Sequence, residues 1–298
     1  MIKEVEVKSI ISKTKNPFAW FGVVYNTNFY RGCPHNCIYC DSRSECYQIE
    51  NFNDLLVKIN APLLMEETLS KKRKGSIGTI GTGAMSDPYN YAEKKYRITR
   101  KCLEVIKKYE YPALIITKSD LVLDDIDLLD EINKKTRCTV IFTVTTIDEN
   151  LAKIIEPNAP SPLKRLEAMQ LLSERGIYTG VLLMPILPFI NDTKENIKNV
   201  VCASSYHGAK FIIPMFGVTL RDRQREYYYK KLDEHFPNLK ESYMKKYKNN
   251  YVCMSKNYRE LNTEFKMLCR KYNVIFEMKE VKSFEKINSG YQLGLFDI

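Results

Sequence analysis

The sequence predicts an α/β protein in which helices cover the outside of a parallel β-sheet. Short β-rich runs alternate with helical patterns from about residue 76 to residue 216, and this alternation is typical of βαβ units. An earlier strand, at Val23–Tyr30, raises the number of predicted strands to six. Six strands with helices between them fit either an open doubly wound sheet or a partial barrel.

The predicted elements follow one another in a regular order. The first strand is followed by an expected helix at Asn53–Ser70, and a later helix is well marked because Ser161 can cap it and Pro162 suits its first position. The other strands are expected at Ser76–Gly81, Ala113–Lys118, Thr139–Thr145, Thr179–Pro185 and Phe211–Phe216. The other helices are expected at Ala92–Tyr109, Leu123–Lys134, Ser161–Gly176 and Lys194–Tyr206.

The composition changes near the ends of this pattern, which predicts three regions. Residues 1–20 form an N-terminal strand or extension, residues 21–218 form the main α/β unit, and residues 219–298 form a C-terminal extension and tail. The extension contains charged helical patterns at Arg221–His235 and Ser255–Tyr272, followed by a strand-like run at residues 274–278. No repeat or glycine-serine linker separates it from the main unit.

Composition excludes several classes of protein. Apolar residues make up 44% of the 298 residues and charged residues 28%, which is close to the average of a soluble globular protein. The N-terminus lacks an apolar run of signal-peptide length, and no stretch reaches the roughly 18 apolar residues that a membrane span needs. We therefore expect a cytoplasmic protein.

Four of the nine cysteines lie within fourteen residues: Cys33, Cys37, Cys40 and Cys46. In a reducing compartment such a group indicates a metal or catalytic site, whereas the scattered cysteines are expected to be small buried side chains. Three thiolates at the spacing of Cys33, Cys37 and Cys40 can hold three irons of a 4Fe–4S cluster, leaving the fourth open.

A zinc site is the alternative for the same cysteines. Its fourth ligand would be His35 or Cys46. Zinc sites usually combine two short ligand motifs from separate turns, and this sequence contains no second one. The iron–sulfur interpretation is therefore favoured.

The C-x-x-x-C-x-x-C string formed by Cys33, Cys37 and Cys40 resembles the signature of the radical SAM superfamily. The resemblance implies a partial (β/α)6 TIM-like barrel, a 4Fe–4S cluster, and S-adenosylmethionine (SAM) bound to the open iron. Reductive cleavage of SAM would give a 5′-deoxyadenosyl radical, with the electron supplied by an external donor such as flavodoxin or ferredoxin. Tyr39 occupies the aromatic position that the family places near the adenine.

Further strings resemble the spore photoproduct lyase-like branch, a group often described as DNA repair photolyases. They include Asn28–Cys33, Ser86–Tyr89, Glu93–Tyr96, Thr145–Glu149, Glu156-Pro157 and Arg165-Leu166. This resemblance implies lyase chemistry on damaged DNA, with Ser86, Lys118 and Thr143 as polar contacts to SAM. The plain alternatives are a solvated lysine at a strand end and ordinary β-propensity for Thr143 and its neighbour Thr145. Met184 and Ile186 are weaker candidates beside the adenine.

The sequence departs from this branch at one chemically important position. Spore photoproduct lyase has a hydrogen-donating cysteine after the second strand, whereas this chain has Ala84 there. Tyr89, Tyr91 and the scattered cysteines are candidates for relaying a hydrogen atom instead. Asp87 either orients the substrate or braces the loop before Pro88.

The net charge of +10 suggests a nucleic-acid partner, and the lysines and tyrosines at Lys240–Lys248 and Tyr227–Lys231 support one. The plain alternative is a solvated helix face with tyrosines that pack inside the protein. Arg221, Arg223 and Arg225 are expected to overhang the barrel mouth and meet an anionic substrate. The segment Gln292–Phe296 resembles the peptide by which bacterial repair proteins bind the sliding clamp. Alternative functions are a radical SAM enzyme acting on RNA, a peptide or a metabolite, and a non-catalytic metal-binding nucleic-acid module.

Overall fold

The computed structural model describes residues 1–17, 20–49, 51–52, 54–72 and 78–281. In chain order its strands are β1 (Ile2–Val5), β2 (Ile11–Lys13), β3 (Val23–Thr27), β4 (Tyr30–Arg31), β5 (Leu55–Lys58), β6 (Thr79–Thr82), β7 (Ala113–Thr117), β8 (Cys138–Thr143), β9 (Tyr178–Leu183), β10 (Phe211–Pro214), β11 (Gly217–Thr219) and β12 (Val252–Met254). Its helices are α1 (Ala61–Ser70), α2 (Glu93–Tyr96), α3 (Ile98–Lys108), α4 (Ile126–Lys135), α5 (Glu149–Ile155), α6 (Pro162–Glu174), α7 (Lys194–Tyr206), α8 (Asp222–His235), α9 (Leu239–Tyr247) and α10 (Tyr258–Lys271).

Six parallel strands form the centre of the described fold, in the order β3, β6, β7, β8, β9 and β10. The short β2 pairs antiparallel with β3 and completes a seven-stranded sheet. Spatial order follows sequence order throughout, without the reversal that defines a doubly wound sheet. The predicted partial (β/α)6 barrel is therefore confirmed, and the doubly wound alternative is wrong.

The central strands are continuous apolar runs because both of their faces are covered. Every residue of β7 and β8 is buried, and helices α3, α4 and α6 turn their apolar sides toward them. The predicted cap of α6 is confirmed, since the Ser161 hydroxyl accepts a hydrogen bond from the Lys164 amide. The carboxyl ends of these strands consequently meet at one rim, where a barrel carries its functional residues.

The helix expected at Asn53–Ser70 is partly wrong. Leu55–Lys58 is strand β5, which pairs in parallel with β1 and antiparallel with β4. The backbone pairing of residues 55–58 with these two strands overrides the local helical pattern, and the sequence near residue 55 does not reveal that pairing. The helix itself begins only at Ala61, next to Pro62.

Other elements also differ in extent from the sequence prediction. The strand expected at Val23–Tyr30 is divided into β3 and β4, which belong to different sheets. The helix expected at Ala92–Tyr109 is divided into α2 and α3, because Arg97 has a left-handed backbone with φ of 53°. The helix expected from Leu123 starts as a 3-10 turn and becomes α-helical at Ile126. The strand-like run at residues 274–278 contributes a single bridge, from Ile275 to Phe211 at the outer edge of β10.

The C-terminal extension packs against the barrel through β11, β12 and α8 to α10. Asp222 in α8 accepts hydrogen bonds from Ser44 and from the Glu45 amide, so the extension reaches the cysteine-bearing segment. The predicted division into residues 1–20, 21–218 and 219–298 stays a prediction, although β2 of the first region belongs to the main sheet. Among the described residues, no helix is long and apolar enough to span a membrane.

Candidate active site at the carboxyl rim of the barrel

The three clustered cysteines lie on one loop, residues 32–40, which we call the cysteine loop. The loop starts at Gly32, whose φ is +80° and whose position leaves no room for a side chain, because a Cβ there would lie 2.2 Å from the Asp54 carbonyl oxygen. Cys33, Cys37 and Cys40 line one cavity of about 90 Å³, which we call the sulfur cavity. The loop therefore directs the three sulfurs to a common space at the barrel rim.

In the residues that the structure describes, the fourth ligand that a zinc site would need is not in place beside the three cysteines. Within residues 1–281, apart from the gaps given above, no three His, Cys, Asp or Glu side chains are grouped as ligands of one metal ion. His35 uses Nε2 to bind Asp87 at 3.0 Å, and Cys46 is exposed and accepts from Ser44. His35 is therefore engaged by Asp87 and Cys46 lies outside the lining of the sulfur cavity, which favours the iron–sulfur interpretation over the zinc alternative.

The sulfur cavity disfavours free thiolates unless a cation is present. Burial, followed by the charges of Asp87 and Cys40, raises the pKa of the Cys33 thiol to about 12. Burial also raises the pKa of the Cys37 thiol well above its ordinary value. A metal centre supplies the positive charge that stabilises the deprotonated form.

A second cavity continues from the first, and we call it the mouth cavity. It has a volume of about 280 Å³ and shares Tyr39, Cys40, Lys118 and Thr143 with the sulfur cavity. Its more distant lining comprises Trp20, Asp41, Tyr47, Leu182, Met184, Pro185, Met215, Val218 and Thr219. The three sulfurs thus lie at the end of a larger, mostly apolar space that opens at the barrel mouth.

Lys118, one of the predicted SAM contacts, is the cation of this site. It lines both cavities, forms no ion pair with any described residue, and lies 5.7 Å from the centre of the Tyr39 ring. Burial opposes its charge, but the negative groups at Cys37 and Glu156 hold its pKa above the ordinary value. An ammonium that forms no ion pair within the described part of the chain therefore faces the space next to the sulfurs.

Tyr39 is held by a buried ion pair that sequence reasoning did not identify. Its hydroxyl donates to Glu156, and Glu156 forms a salt bridge of 2.6 Å with Arg165, whose side chain is 1% exposed. Burial opposes the Glu156 charge, but Arg165 and Lys118 outweigh it and lower the Glu156 pKa. Arg165 also donates to the Thr143 carbonyl at 3.0 Å. The pair therefore joins α6, the end of β8 and the cysteine loop.

Asp87 braces the site from the opposite side. Its carboxylate accepts hydrogen bonds from the Tyr89 and Lys118 amides and from the Thr117 hydroxyl, at 2.7 to 2.9 Å, in addition to His35. Burial would raise its pKa, but His35 and these donors lower it to about 2. Asp87 therefore fits the bracing role among the two that its sequence position suggests.

The other predicted SAM contacts are placed differently from one another. Thr143 lines both cavities. Ser86 lines the sulfur cavity, but its hydroxyl donates to the Gly32 carbonyl and so fastens the cysteine loop. Met184 lines the mouth cavity, whereas Ile186 and Thr145 are buried and are not part of its lining. Thr145 lies beyond the end of β8, which ends at Thr143.

The candidates for hydrogen relay lie away from the mouth cavity. Tyr89 is 1% exposed and donates to Asp125 at 3.1 Å, and Tyr91 is 54% exposed. Both line a separate cavity on the other side of the cysteine loop. Ala84, in contrast, lines the sulfur and mouth cavities, so the cysteine-to-alanine departure falls within the site itself.

The expectation that three arginines overhang the mouth is wrong for two of them. Arg223 donates to the carbonyls of Arg43 and Ile49, and Arg225 donates to the carbonyls of Leu220, Lys248 and Asn250. Arg221 pairs with Asp41 at 2.7 Å beside the mouth. Arg223 therefore ties the extension to the segment after the cysteine loop, and Arg225 braces the backbone of the extension, because a guanidinium group can satisfy several carbonyls at once.

The tyrosines expected to stack on nucleic-acid bases are instead packed inside the extension. Tyr228, Tyr243 and Tyr247 are buried, and the Tyr228 and Tyr243 hydroxyls lie 3.0 Å apart. The helical spacing places these rings on the inner faces of α8 and α9, where the burial of their apolar surface stabilises the contact between the two helices. The predicted clamp-binding segment Gln292–Phe296 lies outside the described residues.

The fold and site together define the class of protein. The model of the Radical SAM superfamily matches residues 27–201, more than half of the chain, and the chain belongs to this superfamily. Proteins of the superfamily carry a 4Fe–4S cluster and bind SAM, which are therefore the cofactors of this chain. The three sulfurs, the unpaired Lys118 ammonium and the adjoining apolar cavity fit these two groups.

The comparisons with individual proteins agree with this membership. An uncharacterized protein of Methanocaldococcus jannaschii is 34% identical over 214 residues, covering 71% of this chain and 77% of the relative. Spore photoproduct lyase complexed with dinucleoside spore photoproduct gives a TM-score of 0.68 at 15% identity, covering 91% of this chain and 79% of the lyase. A variant of that lyase with bound AdoMet and the same ligand gives a TM-score of 0.67 at 16% identity, covering 91% and 78%. The structural matches show a shared fold.

Proposed function

We propose that this chain is a radical SAM enzyme that abstracts hydrogen from damaged DNA, in the manner of spore photoproduct lyase. The observation that carries the proposal is the placement of Cys33, Cys37 and Cys40 around one cavity that opens into the mouth of the barrel. The cluster and SAM, when bound, supply the 5′-deoxyadenosyl radical chemistry of the superfamily. The protein contributes orientation and exclusion of water and side reactions.

Different residues of the site are proposed to bind the cluster, to bind SAM and to exclude water. Cys33, Cys37 and Cys40 are the proposed iron ligands. Lys118 is suited to bind the SAM carboxylate, because it presents the ammonium that forms no ion pair within the described residues. Tyr39 offers an aromatic surface held by Glu156, suited to the adenine. Apolar side chains of the mouth cavity exclude water from the reacting atoms.

Assembly of the cofactor is tested by anaerobic reconstitution with iron and sulfide. We expect about four irons per chain and release of 5′-deoxyadenosine under dithionite. Cys37→Ala should lose both, because it removes one of the three iron ligands. Cys46→Ala is the matched control, since Cys46 is exposed and lies outside the sulfur cavity. Full SAM cleavage by Cys37→Ala would contradict the ligand assignment, and one zinc per chain without cleavage would favour the non-catalytic module.

The assignment of damaged DNA is supported by the shared fold with spore photoproduct lyase and by the net charge of +10. It is tested with deuterated dinucleoside spore photoproduct and with ultraviolet-damaged oligonucleotides. Transfer of deuterium into 5′-deoxyadenosine is the expected result. Transfer from an RNA, peptide or metabolite substrate, with none from DNA, would favour the second enzyme hypothesis.

A substitution at Ala84 provides a more specific test of spore photoproduct as the substrate. Because Ala84 lines both cavities, the variant Ala84→Cys places a thiol where a product radical can receive a hydrogen atom. We expect this variant to raise the yield of repaired dinucleotide from the spore photoproduct relative to the wild type. An Ala84→Ser variant is the control of similar size without a weak S–H bond, and an equal yield from both variants would contradict this role.

A further inference from the structure

A third cavity lies on the other side of the cysteine loop, and we call it the outer cavity. Its volume is about 610 Å³. It is formed by the cysteine loop, by residues 89–94 after β6, by residues 119–121 after β7, and by residues 158–164, which lead from α5 into the first turn of α6. Cys33 and His35 line both this cavity and the sulfur cavity. A single stretch of loop therefore separates the proposed cluster from this surface.

The charge of the outer cavity is unlike that of the sulfur cavity. Its lining contains two lysines, Lys94 and Lys164, and one carboxylate, Asp120. Both lysines are exposed, and neither ammonium forms an ion pair or a hydrogen bond with a described residue. The remaining acidic neighbour, Asp87, is already bound to His35. The cavity therefore presents free positive charge at the surface nearest to Cys33.

Tyr91 adds a contact surface to the same region. Its ring is 54% exposed and lines the cavity together with Pro34 and Pro160. Aromatic rings of this kind supply area at low entropic cost, and ring-flanking lysines favour a partner with acidic groups around an apolar centre. Complexes that transfer electrons have small interfaces, of less than about 1,200 Å² in total, so a shallow surface of this kind is sufficient.

We propose that the outer cavity is the docking site of an acidic one-electron carrier protein, which reduces the cluster through the Cys33 side of the cysteine loop. The proposal rests on the proposed function only in requiring the iron–sulfur cluster. The carrier loses one electron and the cluster gains one, and no covalent bond forms or breaks. Electron tunnelling weakens steeply with distance, so the surface that shares Cys33 with the cluster site is the favourable point of entry.

The net charge of the whole chain also favours association with an acidic protein. A net charge of +10 attracts an acidic protein from a distance, and the two lysines fix where it docks. Contacts of this type change the association rate more than they change the dissociation rate, and salt weakens them. Reduction by a protein donor should therefore slow as ionic strength rises, whereas reduction by a small reductant should not depend on the lysines.

The experiment compares two reductants on the reconstituted protein. Photoreduced flavodoxin is the acidic carrier, dithionite is the small reductant, and the rate of cluster reduction is followed by loss of visible absorbance. The variant Lys94→Glu/Lys164→Glu should slow reduction by flavodoxin at least about tenfold and leave the rate with dithionite unchanged. Lys94→Glu and Lys164→Glu are also measured singly against Lys198→Glu, which changes the net charge by the same amount as each of them. Lys198 is exposed on α7 and is remote in sequence from every segment of the outer cavity.

The remaining outcomes are also decisive. An unchanged flavodoxin rate in the double variant, an equal loss with dithionite, or no reduction of the wild type by flavodoxin would each overturn the proposal. Weaker oligonucleotide binding with an unchanged flavodoxin rate would assign the surface to nucleic acid and overturn it too. If the double variant does not fold, the single alanine variants replace it.

Docking is also measured without electron transfer. Binding of oxidised flavodoxin to the cluster-free protein should weaken in the double variant and not in Lys198→Glu. Neither readout uses a substrate, so a failure to find the substrate of the enzyme leaves this result intact.

Discussion

The two sides of the cysteine loop differ in how their charges are held. On the inner side, Glu156 and Arg165 are buried and paired with each other, and Asp87 receives four hydrogen bonds. On the outer side, Lys94 and Lys164 are exposed and bind none of the described side chains. The difference indicates that inner charges fix geometry, whereas outer charges are available to a mobile partner.

Arg165→Met should have the largest effect of the variants on the inner side. It leaves the Glu156 carboxylate buried without its partner, which costs about 3–5 kcal/mol of unfolding free energy. Urea unfolding of the cluster-free protein measures this. Arg175→Met is the matched control, because its salt bridge with Asp127 is exposed and should change the unfolding free energy by less than about 1 kcal/mol. Equal losses from the two variants would remove the distinction between the two kinds of ion pair.

Asp87→Asn should come next. The amide keeps the shape of the carboxylate but presents an NH₂ group to donors such as the Lys118 and Tyr89 amides. We expect a loss of about 2–3 kcal/mol, from weaker and mismatched hydrogen bonds in a buried site. Unfolding of the cluster-free protein measures it, with Asp120→Asn as the control because Asp120 lies at the surface of the outer cavity. A loss no greater than that of the control would contradict the bracing role of Asp87.

Lys118→Met should affect cofactor binding more than folding. Loss of a charge-assisted hydrogen bond of about 1.5–3 kcal/mol would weaken SAM binding by about 10- to 100-fold. Equilibrium dialysis with the reconstituted protein measures this affinity. Lys164→Met removes the same charge from the outer side and should leave SAM binding unchanged. If the two variants bind SAM equally well, Lys118 is not the SAM contact.

The smallest effect is expected for the outer lysines themselves. Lys94→Ala and Lys164→Ala should each change the unfolding free energy by no more than about 0.5 kcal/mol, because neither side chain holds another in place. Thermal unfolding checks this. A loss above 1.5 kcal/mol would show that these lysines are part of the folded framework, and the contrast between the two sides would then disappear.

The sequence predicts most of the barrel because its evidence is local. Alternating apolar runs and helical patterns between residues 76 and 216 are sufficient to order five strands, and the earlier strand at Val23–Tyr30 is the sixth. The helix cap at Ser161 is indicated by the serine and the proline that follows it. The spacing of the cysteines is also a local feature of the sequence. It is therefore sufficient to predict the role of the cysteine loop and the resemblance to the superfamily. These predictions do not depend on knowing which distant segments pack against the residues concerned.

The parts that the sequence missed depend on distant contacts. Leu55–Lys58 becomes a strand only because β1 and β4 lie beside it. Glu156 and Arg165 were noticed as part of a resemblance, but their roles require the burial and the contact with Tyr39, a residue 117 positions away from Glu156. Arg223 and Arg225 were expected at the mouth because the sequence does not show which carbonyls lack donors.

The edges of the sheet have a consequence for solubility. The strand β2 covers one side of β3, and residue Ile275 exchanges two backbone hydrogen bonds with the other edge, at 2.8 and 3.0 Å. Both edges of the open barrel therefore end in short segments, and short edge segments disfavour the addition of strands from neighbouring molecules. Removal of residues 1–14 would expose β3 and should make the protein aggregate, even though none of these residues lines the sulfur or mouth cavity.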